Sequence, residues 1–292
     1  MRRFIRLWAL CTSVLSVVAP RVGAQTGVAY DFRMRDSSCT ASGTSNIGES
    51  TGHAVWSQGR VRFEMTGNFP RESVPGFTPG RSTVLILSDT GRSVVMLDPE
   101  KKQYVKFDPS GMMEGMQKVM ESMGGKMTME MTGDDPKVEN LGAGPDVMGH
   151  HTSHWRISSD MSVKVGVMGQ SQETRTATVA DEYVATDVPH VSEPFHGLVS
   201  SPLSEMFGSS AKTYFAKLAA ARSKMPVGAP LRSEMHMKTT SAGKVNESNT
   251  VMEITNIKNI TATPDIFAIP ADYTQMEFPM SPHNMRDSAM KH

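Results

Sequence analysis

STVLILSDTGRSVVMLDPEKKQYVKF, residues Ser82 to Phe107, is the stretch whose reading decides the fold. Val84 to Leu87 is an almost continuous apolar run, and Val94 to Leu97 is a second. Between them Asp89-Thr90-Gly91 has turn chemistry, because glycine takes positive φ at little cost. Asp98-Pro99-Glu100-Lys101-Lys102 is a second turn, with Pro99 suited to its first central position. Tyr104 to Phe107 then alternates, with Tyr104 and Lys106 on one face and Val105 and Phe107 on the other. Three short strands and two tight turns make an antiparallel meander, and most of the chain repeats this grammar.

The first residues of the 292-residue chain follow another logic. Arg2, Arg3 and Arg6 precede an apolar run from Leu7 to Ala19, and Val22-Gly23-Ala24 supplies a small-residue cleavage site. We expect a signal peptide over residues 1–24, cut after Ala24. The apolar run falls short of the roughly 20 residues that a membrane-spanning helix needs. Leu10 before Cys11 is too large for a lipoprotein signal, so no lipid anchor and no stable membrane insertion are expected. The short arginine-rich start points to a bacterial periplasmic protein.

Cleavage removes four arginines and no acidic residue, leaving 26 basic against 30 acidic side chains. A net charge of −4 argues against a nucleic-acid partner. Of the two cysteines only Cys39 remains, so no internal disulfide can form. Cys39 is expected to be buried or shielded, or else to link two chains. Residues 25–278 fit one β-rich domain, and residues 279–292 form a polar tail expected to be disordered.

Elsewhere, Val28 to Arg35 alternates as a half-buried strand, with Tyr30, Phe32 and Met34 on one face. Asp36 to Thr51, rich in Ser, Thr and Gly, reads as a loop. Its Gly48-Glu49-Ser50-Thr51-Gly52 matches a hydrolase nucleophile elbow, but that elbow needs a buried strand before it and a helix after it. His53 to Thr66 reads as a hairpin around Ser57-Gln58-Gly59, with Val61, Phe63 and Met65 inward. Lys126 to Met131, His151 to Ile157, Met161 to Met168, Thr174 to Ala185, Leu231 to Thr240 and Val245 to Ile257 are further strands. Pro264 to Pro270 reads as an extended segment.

The period changes twice. Met112, Met116, Met120 and Met123 recur at helical spacing between Ser110 and Gly124-Gly125, which predicts a short helix with a methionine face. Ala211 to Arg222 predicts a second helix, with Phe215, Leu218 and Ala219 on one side. The fold class expected is mainly β, a strongly curved antiparallel sheet or incomplete barrel covered by a few helices. A sheet with one apolar face needs such a cover.

Several segments in order carry a resemblance: Trp56 to Met65, the quoted Ser82 meander, Gly149-His-His-Thr-Ser-His-Trp-Arg-Ile157, DEYVATDVP from Asp181, PVGAPLR from Pro226, and ITNIKNITATPDIFAIPADYTQM from Ile254. Together they resemble the bacterial periplasmic lipoprotein carriers of the LolA/LolB type, especially a branch that is a domain of unknown function. The resemblance covers roughly Tyr30 to Phe278. It implies a half-barrel whose concave space, in characterised members, holds lipoprotein acyl chains.

Residue chemistry agrees with an apolar ligand. Methionine is unbranched and polarizable, and suits surfaces that repack around different apolar molecules. Met112, Met116, Met120, Met123, Phe215 and Leu218 are therefore the candidate lid and cavity residues, the alternative being that they simply pack the core of a structural or interaction module whose cavity its own side chains fill. The expected partner is a lipid, another apolar small molecule or a lipoprotein, with no cofactor and no catalytic residues.

A metal reading competes. The chain has 24 methionines and 9 histidines, with His150, His151 and His154 close together and Met235-His236-Met237 further on. Thioether and imidazole ligands in an exported protein suggest copper. In a strand, however, His150 and His154 would stand about 13 Å apart, and His151 would point to the other face.

Overall fold

The computed structural model describes residues 25–39, 45–67, 82–87, 94–107, 127–167, 170–188 and 208–276. Among these residues the chain is mainly β: thirteen strands form one curved, unclosed sheet, accompanied by one α-helix. The signal peptide, the methionine helix and the C-terminal tail predicted from sequence lie outside the described residues.

The first strands are β1 (Gln25–Cys39), β2 (Ser45–Ser57) and β3 (Arg60–Gly67). The meander follows as β4 (Ser82–Leu87), β5 (Val94–Asp98) and β6 (Gln103–Phe107). Next come β7 (Met127–Gly133), β8 (Lys137–Ala143), β9 (Ser153–Val167) and β10 (Gln170–Ala185). Helix α1 (Gly208–Arg222) precedes β11 (Ala229–Ser241) and β12 (Lys244–Ala262). A 3-10 turn (Pro264–Phe267) and β13 (Thr274–Met276) end the described chain.

Neighbours run β13-β6-β5-β4-β3-β2-β1-β12-β11-β10-β9-β7, with β8 also on β9. All pairings are antiparallel except the parallel contact of β13 with β6. β9 is a single strand where two are predicted, its first half pairing β8 and its second half β7. The long hairpins turn where positive φ is tolerated: Gln58 and Gly59 between β2 and β3, Ala242 and Gly243 between β11 and β12.

Three expectations are corrected. Asp36 to Cys39 and Ser45 to Thr51 are strand rather than loop: β1 runs on to Cys39 and β2 begins at Ser45, their backbones laddered together from Val28↔Trp56 to Cys39↔Ser45. Serine and threonine there are carried by ladder hydrogen bonds rather than by side-chain hydrophobicity. Cys39, at the strand end, is exposed rather than buried. Pro264 to Phe267, the first part of the segment to Pro270, is not extended: it forms the 3-10 turn, which drops Phe267 onto the sheet under the guanidinium of Arg60, 4.8 Å from the ring centre.

Charges in a turn such as the one after β5 are ordinarily solvated. Glu100 is exposed, but the Asp98 side chain is 1% exposed. Its Oδ1 accepts hydrogen bonds from the backbone N–H groups of Glu100 (3.0 Å) and Lys101 (3.1 Å), while Lys101 Nζ lies 3.3 Å from Oδ2. Asp98 thus ties the turn internally. Asp98→Ala is expected to cost about 2 kcal/mol, read as a lower midpoint in urea unfolding with an unchanged slope.

Candidate functional site

Cross-strand partners share a face, so the register traces each side of the sheet across all its strands. From β9, Met161 stands opposite Thr176, and Thr178 and Ala180 oppose Met237 and Met235 on β11. Ser233 opposes Met252, Met252 opposes Met34, Met34 opposes Ser50, and Gly52 opposes Met65. Leu85 opposes Met96 at the meander. We call this side the inner face. Helix α1 lies on it.

At the β1–β5 end the inner face is apolar and deeply buried. Tyr30, Phe32, Phe63, Met65, Leu85, Leu231, Met252 and Ile254 belong to one cluster, with Met34, Trp56 and Met96 against it. The Phe32 ring meets that of Phe63 edge to face, with centroids 6.2 Å apart. A bulge leaves Thr255 outside the β1–β12 pairing, so that Phe32 faces Ile254 and Tyr30 faces Ile257.

At the β7–β10 end α1 is the cover. Ala211, Tyr214 and Ala221 are buried and Phe215 and Leu218 half-buried, whereas Ala219, predicted on this side, is exposed. The spacing of 211, 214, 218 and 221 sets the contact stripe, from which Ala219 lies one position off. Phe215 and Tyr214 pack with Met131, Met161 and Val163. Polar contacts fasten the helix at several points. Met131 N–H donates to Ser210 Oγ (3.3 Å), Lys217 Nζ reaches Asp135 (2.6 Å), and Arg222 Nη2 reaches buried Glu182 on β10 (2.6 Å). Burial pushes the Tyr214 phenol up, against a hydrogen bond with Ser159 on β9.

Phe215 and Leu218, two of the predicted lid and cavity residues, are half-buried on α1. Met112, Met116, Met120 and Met123 lie outside the described residues. The predicted lid and cavity residues did not include the methionines carried by strands: Met34, Met65, Met96, Met129, Met131, Met161, Met235, Met237 and Met252 all share the inner face. Their period-2 spacing within each strand was visible, but the register that joins them was not.

The outer face divides in two. Beside β12 and the meander it is apolar, with Ala29, Val55, Val84, Ile86 and Leu97 packed under Phe267, Ile266 and Ile269. Further along it is polar and holds an open cleft of about 510 Å³ lined by Asp31, Arg33, Thr51, His53, Glu64, Thr66 and Thr255 among others. His53 Nδ1 donates to Asp31 (2.6 Å), and Asn256 Nδ2 donates to the other carboxylate oxygen (3.0 Å). Those two bonds, Asn256 first, hold the Asp31 carboxyl below the usual range. Ser50 of the Gly-Glu-Ser-Thr-Gly run sits in strand β2 on the inner face, with the sheet between it and His53. No elbow is formed, and among the described residues no base hydrogen-bonds this serine.

The three histidines considered for metal do not converge. His150 pairs with Asp187 (2.8 Å), His151 with Asp146 (2.7 Å) and His154 with Asp181 (3.0 Å). Among the described residues no three His, Cys, Asp or Glu side chains group closely enough to hold a metal ion. Asp181 is the best anchored of these carboxylates. Arg156 grips it through Nε (2.8 Å) and Nη2 (2.9 Å), and His154 stacks on Tyr183, with centroids 4.6 Å apart. The Arg156 guanidinium first, and His154 after it, hold the Asp181 carboxyl below its ordinary range.

Because its folded pKa is depressed, Asp181 contributes stability that is complete above the unfolded value of about 3.9. That contribution disappears as pH falls through the lower folded value. Asp181→Asn is expected to lower the thermal midpoint at neutral pH, where the contribution is complete, and to leave it nearly unchanged at the most acid pH, so that the acid limb of a plot of thermal midpoint against pH flattens.

No family model matches this chain, and no curated protein matches it. Among solved structures, it is similar to a LolA superfamily protein from Nitrosomonas europaea. The TM-score is 0.30 at 7% identity, over 82% of this chain and 90% of that one. Similarity at this level says nothing about ligand or activity.

Proposed function

We propose that this is an exported, periplasmic, non-enzymatic binding protein that takes an acyl chain or another apolar ligand, free or on a lipoprotein, against the inner face of its open sheet. The observation that carries the reading is the continuity of that face. It runs from β9 to β5 with methionine on most strands, in a sheet whose end strands β13 and β7 do not meet. Unbranched thioether side chains repack at low cost, so the face suits chains of varied shape. About ten buried methylenes would contribute roughly 8 kcal/mol without a single polar contact. Phe32, Phe63 and Leu231 are almost fully buried, so a bound chain displaces their cover rather than filling an open hole.

The test is native mass spectrometry of protein purified from the periplasm, followed by organic extraction of the same sample. An N-terminus at Gln25 and a bound mass of several hundred daltons that leaves on extraction are expected. Delipidated protein that binds neither fluorescent fatty acid nor lipopeptide would sink the reading.

A second reading, a soft-metal binder, is favoured by one arrangement. Met34 stands opposite Met252, and Met235 stands diagonal to Met252 on β11. Three thioethers on adjoining strands are suitable ligands for Cu(I). Equilibrium dialysis decides it: uptake should vanish in Met34→Leu/Met252→Leu, and absence of uptake by the wild type removes the idea.

A further inference from the structure

We propose that the polar cleft on the outer face is a second binding site, for a small zwitterion of about dipeptide length. The ammonium end lies beside Glu64 and Asp31, and the carboxylate end beside Arg33, Thr51 and Thr66. The inner-face reading is not a premise, because the sheet separates the two sites. The cleft of about 510 Å³ is well above the roughly 300 Å³ at which small-molecule pockets begin. The bulge at Thr255, which lines the cleft, bends β12 there, a device that recurs next to active sites.

Register arranges the lining in two rows. Glu64 on β3, His53 on β2 and Asp31 on β1 stand side by side, and Thr66, Thr51 and Arg33 form the next row on the same strands. The rows are two residues apart, about 7 Å along each strand. The first row is acidic. Asp31, held by His53 and Asn256, stays ionised at neutral pH. Glu64 is half exposed and accepts from Arg62 Nε (2.7 Å) at Oε1. The second row donates. Arg33 lies 3.8 Å from Glu253, too far for a hydrogen bond, and Glu253 also faces Arg232 at 3.6 Å. Among the described residues, most of the Arg33 N–H groups are therefore open to a ligand, next to two threonine hydroxyls. A ligand of one sign finds no match here: an anion meets Asp31 and Glu64, and a cation meets Arg33. A ligand of both signs, laid along the strands, meets each at its own row. An extended dipeptide spans about 7 Å, the spacing of the rows, and a single amino acid about half of that.

The experiment is isothermal titration calorimetry of the mature protein with alanylalanine. Three controls accompany it: N-acetyl-alanylalanine, which lacks the ammonium, alanylalanine amide, which lacks the carboxylate, and alanine, which is too short. We expect alanylalanine to bind about tenfold more tightly than any of the three. Arg33→Gln should weaken alanylalanine about tenfold and leave the amide unchanged. Glu64→Gln should weaken alanylalanine and leave the N-acetyl form unchanged.

No binding of alanylalanine by the wild type up to about 10 mM overturns the site, as do equal affinities for alanylalanine and its blocked forms. A loss in Arg33→Gln that is the same for alanylalanine and its amide overturns the pairing of Arg33 with the carboxylate end. If either variant does not fold, the comparison of the four ligands on the wild type still decides. Fatty acid and lipopeptide binding are measured separately, so failure here leaves the inner-face reading standing, and failure there leaves this one.

Discussion

Phe32→Ala is expected to lower the unfolding free energy by about 4 kcal/mol, the largest effect of any single truncation considered for this protein. For a chain of this size that is a fall in thermal midpoint of roughly 8–16 °C. The ring sits at the centre of the inner-face cluster, 6.3 Å from Tyr30 and 6.2 Å from Phe63. Underneath it is Gly52, where an added Cβ would lie 2.3 Å from Phe32 Cζ and 2.6 Å from the Glu64 carbonyl oxygen. The ring therefore occupies space that only glycine leaves open, and a buried ring has no room to move aside. Gly52→Ala alone is expected to cost about 2–3 kcal/mol by overpacking. In Phe32→Leu/Gly52→Ala the smaller side chain accommodates the methyl group, so the combined loss should fall short of the sum of the singles. Chemical denaturation of the four proteins gives the cycle. Strict additivity would mean that the ring and the glycine do not act on each other.

Arg222→Met is the second large effect, expected to cost about 3 kcal/mol. Glu182 lies on the inner face of β10 with its carboxylate almost completely shielded, and Arg222 at the end of α1 meets it at 2.6 Å. Removing the guanidinium leaves a buried carboxylate that has lost a charged partner. Replacing both residues, Arg222→Met with Glu182→Leu, removes the buried charge as well and should recover much of the loss. Hydrogen exchange gives a sharper readout than global stability. The single variant should lose protection first along α1 and at Met131 of β7, whose N–H donates to Ser210 at the other end of the helix. Uniform loss across the sheet would mean that α1 and the sheet unfold as one unit.

These two sites bear differently on the proposed function. Phe32 and Gly52 belong to the part of the inner face that an acyl chain would contact, so conservative changes there should alter binding as well as stability. Arg222 and Glu182 fix the cover at the opposite end. A helix held by Ser210, Lys217 and Arg222 is a fastened roof at that end. Under the proposed function, ligand entry is expected at the β1–β5 end of the inner face.

Much was legible from local pattern alone: the meander from Ser82 to Phe107, the hairpin around Gln58-Gly59, the inward set Val61, Phe63 and Met65, and the helix that begins near Ala211. In each case period and turn chemistry agree, so local preference and final structure coincide. Where reading failed, the deciding partner was distant in the chain. Ser37 and Ser38 look like loop residues, yet they are strand because β2 and residues 248–249 of β12 supply their ladder. Asp98 looks solvated, yet its turn folds back over the carboxylate. Pro264 to Phe267 looks extended, yet it coils because an apolar patch on the outer face receives Phe267.

By itself, then, the sequence determined the β class, the antiparallel hairpins and most inward positions within single strands. These depend on side-chain alternation and turn residues, which act over a few positions. The tertiary structure alone decided which strands are neighbours, which face α1 covers, and that methionines spread from Met34 to Met252 line one surface. Register joins residues more than two hundred positions apart through backbone hydrogen bonds, which are nearly the same for every residue type. No local pattern of side chains encodes that pairing.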